Sequence, residues 1–181
     1  MRFVLFAMII VGCALVSNGR AAEPDGGQAL RHTWWTVAFE TPVPFSAPRE
    51  IGMDAVALAH PPDTAGGVGR IEIVLAAAPK DMVDGMGMND DELLGYFKTT
   101  FMGLSAPAAR KTERAFLGHA VAGGAQSTSI PRARNVESYL VPLAGGAKLF
   151  LAVGSDADVP AADVEAVLAA VARTLKQDEG K

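Results

Sequence analysis

The most regular hydrophobic pattern of the chain lies near its end, in PAADVEAVLAAVARTLK (160–176). Its apolar residues recur at helical spacing, at Val164, Val167, Leu168, Val171 and Leu175. This spacing places them on one face of an amphipathic helix. Pro160 suits the first turn, and Arg173 and Lys176 suit the negative end of the helix dipole. The pattern therefore predicts a closing helix that packs its apolar face on a sheet.

A second helix is predicted after residue 89. Apolar residues recur every four positions at Leu93, Phe97 and Phe101, with Leu94 beside them. Asn89 or Asp90 can cap the amino terminus, and the acidic residues that follow favour the positive end of the dipole. Gly103 is a typical residue for the carboxyl-terminal cap.

Runs rich in β-branched and aromatic residues predict the strands, over 32–45, 53–60, 70–78, 111–130 and 136–155. The first run is predicted as one strand, apolar on both faces, that ends at the prolines after residue 41. Segment 111–130 predicts two strands joined near Gly118 or at Gly123–Gly124. Segment 136–155 predicts a hairpin that turns at Gly145–Gly146, since glycine accepts the positive φ of a tight turn.

These elements predict an α+β protein, because the strands are grouped and do not alternate strictly with helices. We expect a single-domain sandwich with a mostly antiparallel sheet of about six strands and two main helices packed on it. The domain is predicted over residues 32–176. A flexible tether is predicted over 22–31, and a disordered tail over 177–181.

Three segments represent the first strand, the hairpin and the closing helix of this order of elements: WWTVAFETPVPF, YLVPLAGGAKLFLAV and DVEAVLAAVARTLK. Over about residues 33–176 the order resembles the PsbP-like fold, an α/β/α sandwich found in exported and lipid-anchored bacterial proteins, including the DcrB-like ones. The resemblance implies a sandwich fold and a non-enzymatic accessory or binding role. It assigns no functional residue to any position of this chain.

The amino terminus predicts export. Arg2 precedes the apolar run FVLFAMIIVGCALV (3–16), and polar residues follow. The run is shorter than the roughly 20 residues of a membrane-spanning helix, but it fits the hydrophobic region of a signal peptide. Gly19 and Ala21 supply small residues for cleavage after Ala21. We therefore predict a signal peptide over 1–21, a periplasmic or secreted location, and no transmembrane segment in the mature chain.

Cys13 leaves a second location open. The segment IVGC (10–13) matches a loose lipobox, in which Cys13 would be lipidated and would anchor the protein. Against this, the apolar run continues past Cys13, whereas lipoproteins usually change to a polar tether. In both cases the folded part has no cysteine, so no disulfide stabilises it.

Charge and motifs exclude several classes of function. Removal of residues 1–21 leaves 14 basic against 20 acidic residues, a balance that argues against nucleic-acid binding. The chain has no G-x-S-x-G, H-E-x-x-H or C-x-x-C motif and no phosphate-binding loop. Its histidines, His32, His60 and His119, stand alone; His119 is the best candidate base, but a structural or exposed role is favoured. We predict a protein that is not an enzyme and has no cofactor.

The segment DMVDGMGMND (81–90) is the most unusual one. A calcium loop fails, because neither glycine register places Asp at the first position. Met82, Met86 and Met88 could ligate Cu(I), since thioethers suit that ion. The favoured interpretation is a loop or lid whose methionines pack over the helix that follows; partner binding is a further alternative.

We therefore expect an exported, non-enzymatic accessory or binding domain of the bacterial cell envelope. Its partner would be an envelope protein or a small ligand. The alternative is a periplasmic Cu(I)-binding protein that uses the methionine-rich segment at 82–88.

Overall fold

A computed structural model describes residues 30–62, 69–105, 110–129 and 133–178. Predictions that concern residues 1–21, Cys13, the cleavage site and most of the tether lie outside these ranges. The described strands are β1 (Leu30–Trp34), β2 (Val37–Thr41), β3 (Arg49–Glu50), β4 (Ala55–His60), β5 (Ile71–Ala78), β6 (Arg110–Phe116), β7 (His119–Thr128), β8 (Arg134–Pro142), β9 (Lys148–Asp156) and β10 (Lys176–Gln177). The α-helices are α1 (Lys80–Met86), α2 (Asp90–Met102) and α3 (Ala161–Thr174).

The strands form two antiparallel sheets. The large sheet has seven strands in the order β3-β4-β5-β9-β8-β7-β6, and the small sheet has three in the order β1-β2-β10. The predicted α+β class with mostly antiparallel pairing is confirmed. The prediction of about six strands and two main helices is roughly compatible with this arrangement, in which two-residue strands account for part of the difference. None of the helices within the described ranges is long and apolar enough to cross a membrane.

One hydrophobic core lies between the large sheet, α3 and the small sheet. Val167, Leu168 and Val171 of α3 are buried here, as the periodicity predicts. Val37 and Phe39 of β2 join them, so the small sheet closes one side of this core. Helix α3 ends at Thr174, and the chain then pairs with β2 through β10.

A second core lies on the opposite face of the large sheet, under α1 and α2. Leu93 and Phe97 of α2 are buried, and the Phe97 ring stacks on Phe150 of β9 with ring centroids 5.4 Å apart. Asn89 caps the helix as predicted and forms a reciprocal capping box with Glu92. Helices therefore cover both faces of the large sheet.

The prediction of one strand in the run 32–45, ending at the prolines after residue 41, is wrong, because the chain turns back on itself at Trp35. Trp34 pairs with Val37, and the turn between them places Trp35 at a φ of 51°. Such a φ is uncommon for a large side chain. A tryptophan is therefore not a turn signal, and the alternating pattern gave no sign of the turn. Strand β1 also begins at Leu30, two residues inside the predicted tether.

Two further predictions, of a loop and of the tail, differ from the structure at their boundaries. Segment 82–88 does not form the predicted loop throughout, because residues up to Met86 belong to α1, which is capped by Gly87 at a φ of 60°. Gln177, placed in the predicted tail, pairs with Val37. The predicted hairpins are confirmed, with turns at Gly118 and around Gly145.

A groove between helix α2 and strands β6 and β7

Helix α1 contains two of the three methionines predicted as possible metal ligands, and the third lies after the helix. Met82 and Met86 lie one helical turn apart and are half-buried against the second core, which favours the packing interpretation for both residues. Met88 follows the end of the helix and is 36% exposed. Cu(I) binding by these residues stays a prediction.

His32 and His60 hold the proline-rich segment after β2 against the sheet. The Nδ1–H of His60 donates to the Pro44 carbonyl over 2.6 Å. Nε2 of His32 lies 3.0 Å from the Thr41 hydroxyl oxygen, and that hydroxyl donates to the Val43 carbonyl over 2.9 Å. Burial lowers the pKa of His32 through desolvation. Both histidines have structural roles.

His119 lies in a different part of the sheet. It is the first residue of β7, four strands away from β4 in the sheet order, and it is exposed. It lines a cavity of about 700 Å³ whose walls include Leu117, Leu143 and Leu175. Within the part of the chain that the structure describes, no three His, Cys, Asp or Glu side chains are grouped so that they could hold a metal ion.

A groove of about 790 Å³ lies between α2 and the strands β6 and β7. It exists because α2 packs over β8 and β9 and leaves the neighbouring strands uncovered on this face. On that face four residues of β6 and β7 have small side chains or none, at Ala115, Ala120, Ala122 and Gly124, and Lys111 and Glu113 of β6 share the face with them. The residues that line the groove are Asp91, Leu94, Gly95, Lys98, Thr99, Leu104, Ser105, Lys111, Thr112, Glu113, Ala122, Gly123 and Gly124.

One stripe of α2 forms the helical wall of the groove. Asp91, Leu94, Gly95 and Lys98 recur at intervals of three and four, so they share a face. This stripe borders the buried stripe that contains Phe97. Apart from its two chain neighbours and the nearby backbone of its own helix, no atom lies within 4 Å of the position that a Cβ would occupy on Gly95, so this glycine leaves part of the groove open.

Lys98 is the chemically distinctive residue of the groove, since it is only 5% exposed. Desolvation lowers the pKa of its ammonium group. Lys111 of β6 adds an exposed cation, while Asp91 and Glu113 place carboxylates on the same walls.

The apolar end of the groove is fixed by the end of α2. Gly103 takes a φ of 66°, and the Leu104 N–H donates to the Lys98 carbonyl over 3.2 Å. The Thr99 hydroxyl lies 3.0 Å from the Gly95 carbonyl and 3.2 Å from that of Leu104. The groove thus has an apolar end at the buried Leu104 and a buried cation at Lys98.

Ion pairs elsewhere join structural elements. Arg134 of β8 donates to Glu72 of β5 over 2.7 Å, with both side chains nearly buried. Arg114 of β6 makes two hydrogen bonds to Glu165 of α3, of 2.9 and 2.7 Å. Hydrogen bonding to Glu165 raises the pKa of Arg114 and lowers that of Glu165. Both partners of each pair belong to the protein and come from different elements, so we assign the pairs to stability.

Comparisons with known proteins give no family. No protein-family model matches the chain. The chain also has no match among curated proteins. Among solved structures, it is similar to a protein from Bacteroides thetaiotaomicron VPI-5482, with 11% identity and a TM-score of 0.48. The match covers 81% of this chain and 47% of that protein, so this chain spans less than half of its length. A similarity of this degree assigns no function.

The sequence contains two signals for the groove residues, although none of these residues was predicted as a site. The polar stripe of Asp91 and Lys98 is offset by one position from the apolar stripe that predicted the helix. Small residues at positions 120, 122 and 124 of AVAGG (120–124) leave one face of this part of β7 without large side chains. Neither signal is specific alone, because the groove forms only when these segments meet in the fold.

Proposed function

We propose that this protein is an exported, non-catalytic binding domain of the bacterial cell envelope and that the groove between α2 and β6–β7 receives its ligand. The observation that supports binding is the nearly buried Lys98 in the wall of a groove of about 790 Å³. Pockets of this volume with a few convergent polar groups are typical of small-molecule sites. Export is supported by the signal-peptide pattern over residues 1–21.

The chemistry of the groove favours a small amphiphilic molecule with one negative charge. A carboxylate placed beside Lys98 would gain a cation in a poorly solvated environment, where electrostatic interactions are stronger than in water. The apolar part would pack against Leu94, Leu104 and Ala122. Asp91 and Glu113 repel ligands with several negative charges, which selects against polyanions.

The PsbP-like, single-domain sandwich is part of this proposal. Two features support it: the antiparallel sheet carries helices on both faces, and the closing helix packs against the small sheet formed by the first strands. The non-enzymatic role of most PsbP-like proteins agrees with a binding function.

Titration of the chain from residue 22 with hexanoate, octanoate and decanoate, followed by calorimetry, tests the ligand class. We expect affinity to rise with chain length, because each buried methylene contributes about 0.8 kcal/mol. Lys98→Met should abolish carboxylate binding, whereas Lys80→Met, which removes an exposed lysine outside the groove, should leave it unchanged.

A substitution at Gly95 provides an independent test of the location. Gly95→Phe places a ring in the open space of the groove and should block binding while the protein remains folded. If octanoate binds Lys98→Met and Gly95→Phe as well as it binds the unmodified protein, the groove is not the site. Mature protein found only in the cytoplasmic fraction would contradict export.

A further inference from the structure

Two large apolar side chains are exposed at a second cleft, which shares no residue with the groove. Trp35 is 43% exposed and Met53 is 65% exposed. Both line a cleft of about 480 Å³ together with Trp34, Glu50 and Asp54. Trp and Met are enriched at protein interfaces, so their joint exposure points to a contact surface.

The backbone presents these side chains from two turns. Trp35 occupies the β1–β2 turn at a φ of 51°, and Met53 and Asp54 precede β4, both at a φ of 49°. Such conformations cost about 1 kcal/mol or more each, and they persist where the surrounding structure holds them. The Asp54 carbonyl accepts the Ala77 N–H over 2.9 Å, which ties this turn to β5.

The charge of the cleft favours a cationic partner. Of the described residues that line it, the charged ones are Glu50 and Asp54, and both are exposed. The neighbouring cation Arg49 faces Glu72 at 4.0 Å. A Lys or Arg side chain over the face of Trp35 would gain a cation–π contact and two nearby carboxylates.

We propose that the cleft formed by Trp34, Trp35, Glu50, Met53 and Asp54 docks a basic segment of a partner protein, with a Lys or Arg side chain over Trp35. A protein partner fits better than a small molecule, because small-molecule sites bury most of the ligand surface whereas Met53 is 65% exposed. This interaction would be independent of the ligand proposed for the groove.

Intrinsic fluorescence reports on this cleft selectively, because the chain has two tryptophans and both line it. Titration with a short peptide that contains two lysines and an arginine should change the emission and saturate. Added salt should weaken binding, since both the cation and the carboxylates are solvent-exposed. A peptide with glutamates in place of the basic residues is the matched control and should give no change.

Variants locate the contact. Trp35→Asn keeps a residue that tolerates a positive φ, retains Trp34 as the reporter, and should weaken peptide binding about fivefold or more. The double substitution Glu50→Gln with Asp54→Asn should weaken it similarly, and Met88→Ala, at an exposed residue outside the cleft, should not. Unchanged thermal unfolding of each variant confirms that the fold is retained.

Three outcomes would overturn the proposal. The first is emission that does not respond to the basic peptide at millimolar concentration. The second is equal binding by Trp35→Asn and the unmodified protein. The third is binding of tetramethylammonium or free arginine as tightly as the peptide. This result would identify a site for small cations and would exclude the proposed protein partner.

Discussion

Adding one methyl group at either of two glycines should change stability in opposite directions. Gly95 lies in α2 with open space around its Cβ position, whereas Gly123 lies in β7 against a buried ring. A Cβ on Gly123 would lie 2.5 Å from the Ser138 carbonyl oxygen and 2.5 Å from Cδ1 of Tyr139. Both distances are far below van der Waals contact, so the strand or the ring must move.

The size of each effect follows from these surroundings. Tyr139 is fully buried, and its ring meets Phe116 edge-on with centroids 5.0 Å apart, so it has no space to retreat. Overpacking of this kind costs about 1–3 kcal/mol, so Gly123→Ala should lower the free energy of unfolding by about that amount. Gly95→Ala should raise it by about 0.5–1 kcal/mol, because glycine in a helix costs conformational entropy.

Urea unfolding followed by far-ultraviolet circular dichroism measures both effects. With a slope of about 1–3 kcal/mol per molar urea, the transition midpoint should fall by roughly 1 M for Gly123→Ala and rise by a few tenths molar for Gly95→Ala. A Gly123→Ala variant as stable as the unmodified protein would refute the reasoning. It would mean that Tyr139 does not pack on this glycine.

Three further substitutions test the fold in the same assay. Asn89→Ala removes the capping box of α2 and should cost about 1 kcal/mol. Phe97→Ala removes a buried ring stacked on Phe150 and should cost about 3–5 kcal/mol. His32 has a folded pKa below its ordinary value of 6.5. The unfolded chain therefore binds more protons than the folded one below that pH, and stability should fall on acidification through this range; His32→Gln should reduce this loss.

Matched controls separate these effects from general disruption. Asn89→Asp retains a capping oxygen and should keep most of the stability. Phe97→Leu should cost less than Phe97→Ala, since more volume remains. A pH dependence of His32→Gln equal to that of the unmodified protein would contradict the assignment to His32.

Elements with local signals were predicted well. Helix α2 has its cap at Asn89 and its end at Gly103, both within a few residues of the apolar pattern. The β8–β9 hairpin depends on Gly145 and Gly146, which both have positive φ. These features depend on short-range chemistry, so neighbouring residues are sufficient to indicate them.

Features that depend on distant residues were not predicted. The turn at Trp35 has no glycine or asparagine, and its conformation is held by pairing with β2 and by the packing of the small sheet. Strand β10 has two residues. It exists because α3 ends where Lys176 can pair with Ala38 of β2. The groove joins Lys98 to Lys111 and Gly124 through tertiary packing, so no single segment of the sequence could reveal it.

The position of β9 in the large sheet constrains when the protein can fold during its synthesis. Strand β9 pairs with β5 on one side and with β8 on the other, so it joins the two halves of the sheet. A nascent chain that ends at Gly146 lacks this central strand and exposes the hydrogen-bonding edges of both β5 and β8. Such edges promote aggregation, and long-range pairing also slows folding. We therefore expect the unfinished chain to depend on protection from other proteins until β9 (Lys148–Asp156) has been added.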